Sequence, residues 1–464
     1  MNRLTKTQFL HFLECPYEFQ FIASNPKVLP AETEGDMLSI EEGFRFEKEV
    51  VNLLDFDNAL PQYEFKTGEY YAKADLIQLI APNEVIFYET KASTQIKEEH
   101  YWDIAFQKYV AEAAGYQVTA VFLVLANKEY DLEKNTLTKD LFVVHDITET
   151  IKEYSNHIPE KAQEAYNLLQ EGAVPKNNHA CANRVDCHYL IHNNEIPEWD
   201  ISLIPRLNKT KFWDLWDQNI RDIKNIPEDY PLSKNQEEIA DIIRHKKTIV
   251  KGEAIAKELR DLSYPLYFLD YETYAPSVPI FNGYSPYERF VFQYSLHVVE
   301  KAGADPTHFE YILESSNLKI ESLIDALRKQ IGSSGTIIVW NASFEKKCNA
   351  LMGEHYSNHT EFFEDLNARI FDLMTIFSNG LYVDYRFKGS NSIKKVLPVL
   401  ALELDYGNLN ITTGEVASYR WKKAVIEKHE DYEEQAVLKD LLRYCKLDTY
   451  AMVAIYQKLV ESIR

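Results

Sequence analysis

The sequence predicts a mixed α/β (α+β) chain, built as two domains of mixed strand and helix joined by a helical connector. Apolar runs of strand length alternate with amphipathic stretches of helical period. A fresh apolar strand opens near residue 263, after a helical stretch punctuated by Pro205, Pro227 and Pro231. The 464 residues are 45% hydrophobic and 26% charged, with 15 Gly and 17 Pro, which is globular composition rather than collagen-like or disordered.

Residues 1–195 form the first block. EGFRFEKEVVNLL reads as an amphipathic helix. YYAKADLIQLI and EVIFYETKAS read as two strands joined by a short APN turn. YWDIAFQKYVAEAAGYQ reads as a helix ended by Gly115, and QVTAVFLVLAN as a buried strand. A helix near 150–171 and the loop VPKNNHACANRVDC close the block.

Residues 196–262 form the connector, in which Trp213 and Trp216, at i and i+3, are expected as core anchors. Residues 263–464 restart with the strand YPLYFLDYET. FVFQYSLHVVE and GTIIVWNASF give further strands, and a long helix is expected over about 432–462.

The net charge of −22 argues against a protein that coats nucleic acid, which is usually basic. A metal-dependent nuclease concentrates carboxylates and needs only a local basic path, so that class stays open. Residues 201–260 are the least acidic stretch. No apolar run reaches membrane-spanning length. The opening MNRLTKTQFLHFLECPYEFQF lacks an apolar core ending in small residues, so no signal peptide is expected. Five cysteines (15, 181, 187, 348, 445) in so long a chain do not make a disulfide framework, and a reduced, cytoplasmic protein is expected.

Three constellations carry chemistry. In the first, Asp75 lies on one strand, and Glu89 and Lys91, two apart on the next, share a face. Two carboxylates and a lysine suit phosphodiester hydrolysis: the carboxylates hold a divalent metal, and the lysine positions water and offsets charge on the phosphate. The preceding helix carries Gly43 and Glu47, and the following one Gln107. This order resembles the RecB-like branch of the PD-(D/E)XK nucleases. Glu47 stands where many members have His, and Ala111 where the family's Gln is followed by Tyr. The resemblance implies metal ligands at Asp75, Glu89 and Glu47, and catalytic roles for Lys91 and Gln107.

In the second, Cys15 opens the first block and Cys181 and Cys187 close it. RecB-like nucleases use such a bracket for a four-cysteine iron–sulfur cluster. The resemblance implies a cluster, with His179, His188 or His192 as the fourth ligand, or a zinc held by three Cys and one His; a decayed site of ordinary buried cysteines that hold no metal is the alternative reading.

In the third, Asp270 and Glu272 end a strand, Asn341 and Glu345 follow another in WNASFEKK, and Tyr444 and Asp448 lie at i, i+4 on the terminal helix. Carboxylates converging from these elements would hold two metals that stabilise the attacking and leaving oxygens of an in-line displacement. The motifs D-x-E, N-x-x-x-E and Y-x-x-x-D resemble those of the DEDD 3′–5′ exonucleases of the RNase H-like fold, with Glu345 where that family has Asp. Asp372, in RIFDLMTIF, is an alternative acidic residue. The resemblance implies metal binding by Asp270, Glu272, Glu345 and Asp448, and a water-orienting Tyr444. FQYSLHV, with Gln293 and His297, is expected to pair with the first catalytic strand. Ser392 and Lys394 open a helix suited to a phosphate, with simple capping by Ser392 as the alternative.

The phrases PLYFLDYETY, PYERFVFQYSLH, WNASFEKK and SNSIKKVLP liken the whole chain to a bacterial family that fuses a RecB-like nuclease domain to a DEDD exonuclease-like domain. The resemblance implies a nuclease using Mg²⁺ or Mn²⁺ at two sites, acting on nucleic acid, DNA before RNA, without a membrane partner, in repair or phage defence. An RNA-processing exonuclease and a non-catalytic scaffold are the alternatives.

Overall fold

The computed structural model describes residues 3–29, 31–54, 56–171, 187–192 and 195–463. It is a mixed α/β structure in two compact units. Unit 1 comprises 1–32, 39–196 and 276–288; unit 2 comprises 33–38, 197–275 and 289–464. Connector residues 197–262 thus fall in unit 2, and a short segment of the third block falls in unit 1. That segment is fastened by Ser277, whose amide and hydroxyl both donate to the buried Glu42 carboxylate at 2.7 Å.

Unit 1 holds β1 (Leu4–Thr5), β2 (Ala59–Lys66), β3 (Tyr70–Ala81), β4 (Glu84–Lys91), β5 (Gln117–Ala126) and β6 (Phe142–Asp146). The sheet order is β1-β3-β4-β5-β6, with β2 also on β3. β3 and β4 form a hairpin whose turn uses Asn83 at φ 65°, a left-handed conformation that Asn tolerates. β4 and β5 are parallel, which requires a crossover. The helix Glu98–Ala113 supplies it and stops at Gly115, φ 91°. Phe9, Phe87, Phe106 and Leu123 lie in the core, with Phe9 and Phe106 stacked at 4.6 Å. Along β4 the positions Val85, Phe87 and Glu89 are buried, so strand alternation carries the Glu89 carboxylate onto the core face. The helix expected near 150–171 is two, Ile151–Ser155 and Ile158–Glu171. Pro159, which lacks an amide hydrogen, suits a helix's first turn and not its interior.

Unit 2 holds β7 (Thr248–Val250), β8 (Leu266–Tyr274), β9 (Phe290–Val299), β10 (Thr307–Ile312), β11 (Thr336–Val339), β12 (Ile370–Asp372) and β13 (Tyr382–Asp384). The main sheet runs β10-β9-β8-β11-β12, antiparallel from β10 to β8 and parallel from β8 to β12; β7 and β13 form a separate ribbon. β9 is buried at every position, and the helix Glu434–Ser462 packs on β8 and β9. The connector makes a cluster of its own from Trp199, Ile201, Leu215, Ile223 and Ile243, joined by Tyr385. Trp213 is buried, while Trp216 is half-buried beneath the Arg221 guanidinium. Among the described residues no helix is long and apolar enough to cross a membrane.

Candidate functional site

Each unit contains a buried carboxylate cluster. In unit 1, Asp75 Oδ2 accepts from the Thr90 amide and hydroxyl, both at 2.9 Å. Glu89 Oε1 accepts from Lys91 Nζ at 2.8 Å, and its Oε2 from Gln107 Nε2 at 2.9 Å. Glu89 and Lys91 are two apart on β4, and their contact confirms the shared face. Glu47 accepts from Gln62, and its carboxyl is raised by burial and by the Glu89 charge, against the Gln62 hydrogen bond. Ala111 is fully buried.

Two residues that sequence reasoning missed complete this cluster. Asp103 accepts from Lys91 at 2.6 Å and from Gln107 at 2.8 Å. It lies four residues before Gln107 on one helix face, a spacing that could have found it. Lys6 Nζ sits 3.1 Å from Glu89 Oε1 and 3.4 Å from Asp103 Oδ1. No local pattern marks Lys6, because its partners lie far along the chain.

Burial and the neighbouring Glu89 charge push Asp75 up to about 7. Burial also works against the Glu89 carboxylate, but the Lys6 and Lys91 ammonium groups outweigh it and hold Glu89 at about 2. Lys91 is raised well above its ordinary value: burial opposes its charge, and Glu89, Asp103 and Asp75 overcome that. Gln107 Oε1 is buried without a hydrogen-bond partner. The cluster offers carboxylate oxygens, the donors a hard divalent cation takes, with Glu89 and Asp103 already paired to the two lysines.

In unit 2, ligand atoms of Asp270, Glu272 and Cys445 lie within 4.8 Å of one another. Cys445 Sγ donates to Asp270 Oδ2 at 3.6 Å, and Tyr406 OH donates to Asp448 Oδ1 at 2.6 Å. Lys394 Nζ donates to Tyr444 OH at 3.3 Å and to the Thr412 carbonyl. Glu345 is buried, and its Oε2 has no hydrogen-bond partner. Burial, then the Asp448 charge, pushes Asp270 up to about 8. Burial and Asp270 push Glu345 up to about 9. Burial raises Asp448 to about 6 against the Tyr406 hydrogen bond and Lys394. Glu272 is raised well above the carboxylate range by burial, Asp270 and Asp448. Oxygen-rich, under-compensated and partly orphaned, this donor set also fits divalent ions.

Asn341 and Ser392 both sit at helix starts. Asn341 is the N-cap of the helix Ala342–His355, and its side chain accepts from Ser343 at 2.7 Å. Ser392 is the N-cap of Ile393–Leu400 but makes no side-chain cap bond. Lys394 serves the carboxylate cluster, against Tyr444 and Tyr406. Asp372 accepts from the Ala342 and Met374 amides, both at 3.0 Å, so both its oxygens are already engaged. Gln293 donates to the Leu441 carbonyl at 2.9 Å, and His297 Nδ1 lies 2.8 Å from Thr449 Oγ1, so the expected β8 partner strand also grips the terminal helix. Tyr406 and Cys445 were missed; Cys445 directly follows Tyr444, whereas Tyr406 lies in a loop without a motif.

In the cysteine bracket, ligand atoms of Cys15, Glu18 and Cys187 lie within 4.8 Å of one another. Glu18 Oε1 accepts from the His188 amide at 2.9 Å, and the His192 ring packs on Phe21. Cys181 and His179 lie outside the described residues.

Residues 267–392 match the family described as "Domain of unknown function (DUF2779)". The chain is 28% identical over 238 residues to the uncharacterized protein MG366 of Mycoplasma genitalium, covering 46% of this chain and 35% of that one. It is 25% identical over 228 residues to the MG366 homolog of Mycoplasma pneumoniae, covering 45% and 34%. The uncharacterized protein UU173 of Ureaplasma parvum matches at 25% over 224 residues, 42% and 32%. The chain thus spans about a third of the length of these relatives. A solved structure titled "Crystal structure of SSO0001" aligns at 17% identity and a TM-score of 0.25, covering 41% of this chain and 84% of that one.

Proposed function

We propose that this chain is a metal-dependent nuclease hydrolysing phosphodiester bonds of DNA, with a PD-(D/E)XK site in unit 1 and an RNase H-like DEDD 3′–5′ exonuclease site in unit 2. The observation that carries the reading is the cluster in unit 2: ligand atoms of Asp270 and Glu272 lie together beside Cys445, Tyr406 donates to Asp448, and burial raises the carboxyls of Asp270, Glu272, Glu345 and Asp448, with repulsion from neighbouring carboxylates adding to it at the first three. Raised, crowded carboxyls store a cost that a divalent ion relieves.

Mg²⁺ or Mn²⁺ bound here would supply an activated water and stabilise charge on the attacking and leaving oxygens. In unit 2, Asp270, Glu272, Glu345 and Asp448 would hold the ions. Tyr444, one turn from Asp448, orients the water through its hydroxyl. Lys394 keeps that hydroxyl in place and adds positive charge beside the substrate phosphate. In unit 1, Asp75 and Glu89 would hold the ion with Glu47 nearby; Gln107 fixes the Glu89 carboxylate, and Lys91 positions water and offsets phosphate charge. Cys15, Cys181 and Cys187 would hold an iron–sulfur cluster or a zinc.

The test is incubation of the pure protein with labelled single- and double-stranded DNA and RNA, with Mg²⁺ or Mn²⁺ and with EDTA. Metal-dependent cleavage of DNA supports the reading. Cleavage of RNA alone moves it to an RNA-processing exonuclease, and no cleavage of either counts against it.

A further inference from the structure

Unit 1 places two lysines on one pair of carboxylates. Lys91 Nζ approaches Glu89 Oε1 at 2.8 Å and Asp103 Oδ2 at 2.6 Å. Lys6 Nζ approaches the same Glu89 oxygen at 3.1 Å and Asp103 Oδ1 at 3.4 Å. The lysine side chains are 24% and 23% exposed, whereas those of Glu89 and Asp103 are 3% and 4% exposed. The lysine side chains are thus the partly exposed members of the cluster and the carboxylates its buried ones.

The position of Lys6 is built. β1, immediately before it, pairs with β3 at Tyr70 and Tyr71. The Leu4 amide donates to the Glu69 carbonyl at 2.8 Å, and Arg3 Nε to the Thr67 carbonyl at 2.7 Å. Lys6 is the first residue of the helix Lys6–Glu14, which starts with a Thr5–Gln8 capping box. Strand pairing on one side and a cap on the other fix the backbone, leaving a short flexible reach for the ammonium.

We propose that Lys6 is a second catalytic lysine of this site, whose ammonium binds a non-bridging oxygen of the scissile phosphate. The proposal rests on the nuclease reading of unit 1. With Glu89 engaged in holding an ion, its Oε1 no longer needs two ammonium partners. Lys91 keeps Asp103, its shorter contact, and Lys6, whose contacts are the longer ones, turns to the phosphate. Charge that builds on the phosphate oxygens during attack by water then meets a fixed cation. The competing role is structural: Lys6 would only neutralise Asp103.

The test uses the whole 464-residue chain carrying Asp448→Asn to silence unit 2, reading cleavage of labelled single- and double-stranded DNA with Mn²⁺ and Mn²⁺ binding by calorimetry. Lys6→Met is expected to lower kcat on the order of 100-fold while binding Mn²⁺ at least as tightly, since a competing cation is gone. Adding Asp103→Asn does not restore the rate, and Lys6→Arg keeps more of it than Lys6→Met. If Lys6→Met cleaves at the parent rate, loses Mn²⁺ binding, or regains the Asp103→Asn rate in the double variant, while Lys91→Ala is inactive, Lys6 is a structural residue and the proposal falls. If the parent does not cleave, or Lys91→Ala cleaves like the parent, the nuclease reading of unit 1 fails and takes the Lys6 role with it.

Discussion

Tyr406 donates its hydroxyl hydrogen to Asp448 Oδ1 at 2.6 Å, joining a loop residue to the terminal helix. Asp448 is buried at the carboxylate cluster, and this bond, with Lys394, favours its ionised form against burial. On the proposed reading, Tyr406 holds Asp448 in the ionised form that would bind a cation near neutral pH.

Removing that donor has a defined consequence. Tyr406→Phe raises the Asp448 pKa further, because the ionised carboxylate loses a hydrogen-bond donor. The acid limb of the pH–rate profile of the unit 2 activity moves to higher pH, and Mn²⁺ affinity falls at pH 6 more than at pH 8. Profiles of wild type and variant, measured side by side, check this; superimposable acid limbs would show that the bond does not act on Asp448.

Stability should depend on pH with a sign opposite to ordinary acid denaturation. Asp270 at about 8, Asp448 at about 6 and Glu345 at about 9 lie above their unfolded values. The folded form then binds more protons than the unfolded form, and stability falls as pH rises. The contribution is complete below the unfolded carboxylate pKa of about 4 and is lost as pH rises through these folded values. Thermal melting in EDTA should show unit 2 weakening from pH 5 to pH 9; Mn²⁺ should reverse the trend, and Asp270→Asn should flatten it. A unit 2 transition that rises over this range without metal would contradict the assignment.

The two clusters lie in separate units, so their activities should be separable. Lys91→Ala is expected to remove one cleavage activity and leave the other, and Asp270→Ala to do the reverse. Digestion patterns of the two variants on the same substrates report this. Loss of all cleavage in either variant, with melting curves unchanged, would mean the sites do not act independently.

Much of this arrangement was readable from local pattern, because strand and helix periodicity fix which side chains share a face. Glu89 with Lys91 and Asp270 with Glu272 are two apart on strands, and Tyr444 and Asp448 are four apart on a helix. Gly115 marked the end of a helix through its positive φ. Lys6 and Tyr406 were not readable, since each reaches its partner through a long-range approach that no spacing encodes. The segment 276–288 was likewise invisible: a buried Ser277–Glu42 pairing ties it to unit 1, across 235 residues. Asp372 stood in the sequence as a possible substitute for Glu345, and no spacing shows that both its oxygens accept from the Ala342 and Met374 amides.

The cysteine bracket yields a prediction independent of cleavage. Protein purified without oxygen should carry iron and absorb in the visible region, as thiolate-bound iron does, or else carry zinc and be colourless. Cys15→Ser and Cys187→Ser should each lower the metal content. Full metal-free protein with an unchanged melting curve in both variants would leave the bracket without a metal role.

Release of mononucleotides from a 5′-labelled single DNA strand by the Lys91→Ala protein, with Mn²⁺, tests the two-metal exonuclease reading of unit 2 most directly. The predicted result is a ladder shortening from the 3′ end, slowed by Tyr444→Phe with little change in KM and abolished by Asp448→Ala or EDTA. An intact strand, shortening from the 5′ end, or an unchanged ladder with Asp448→Ala would contradict it.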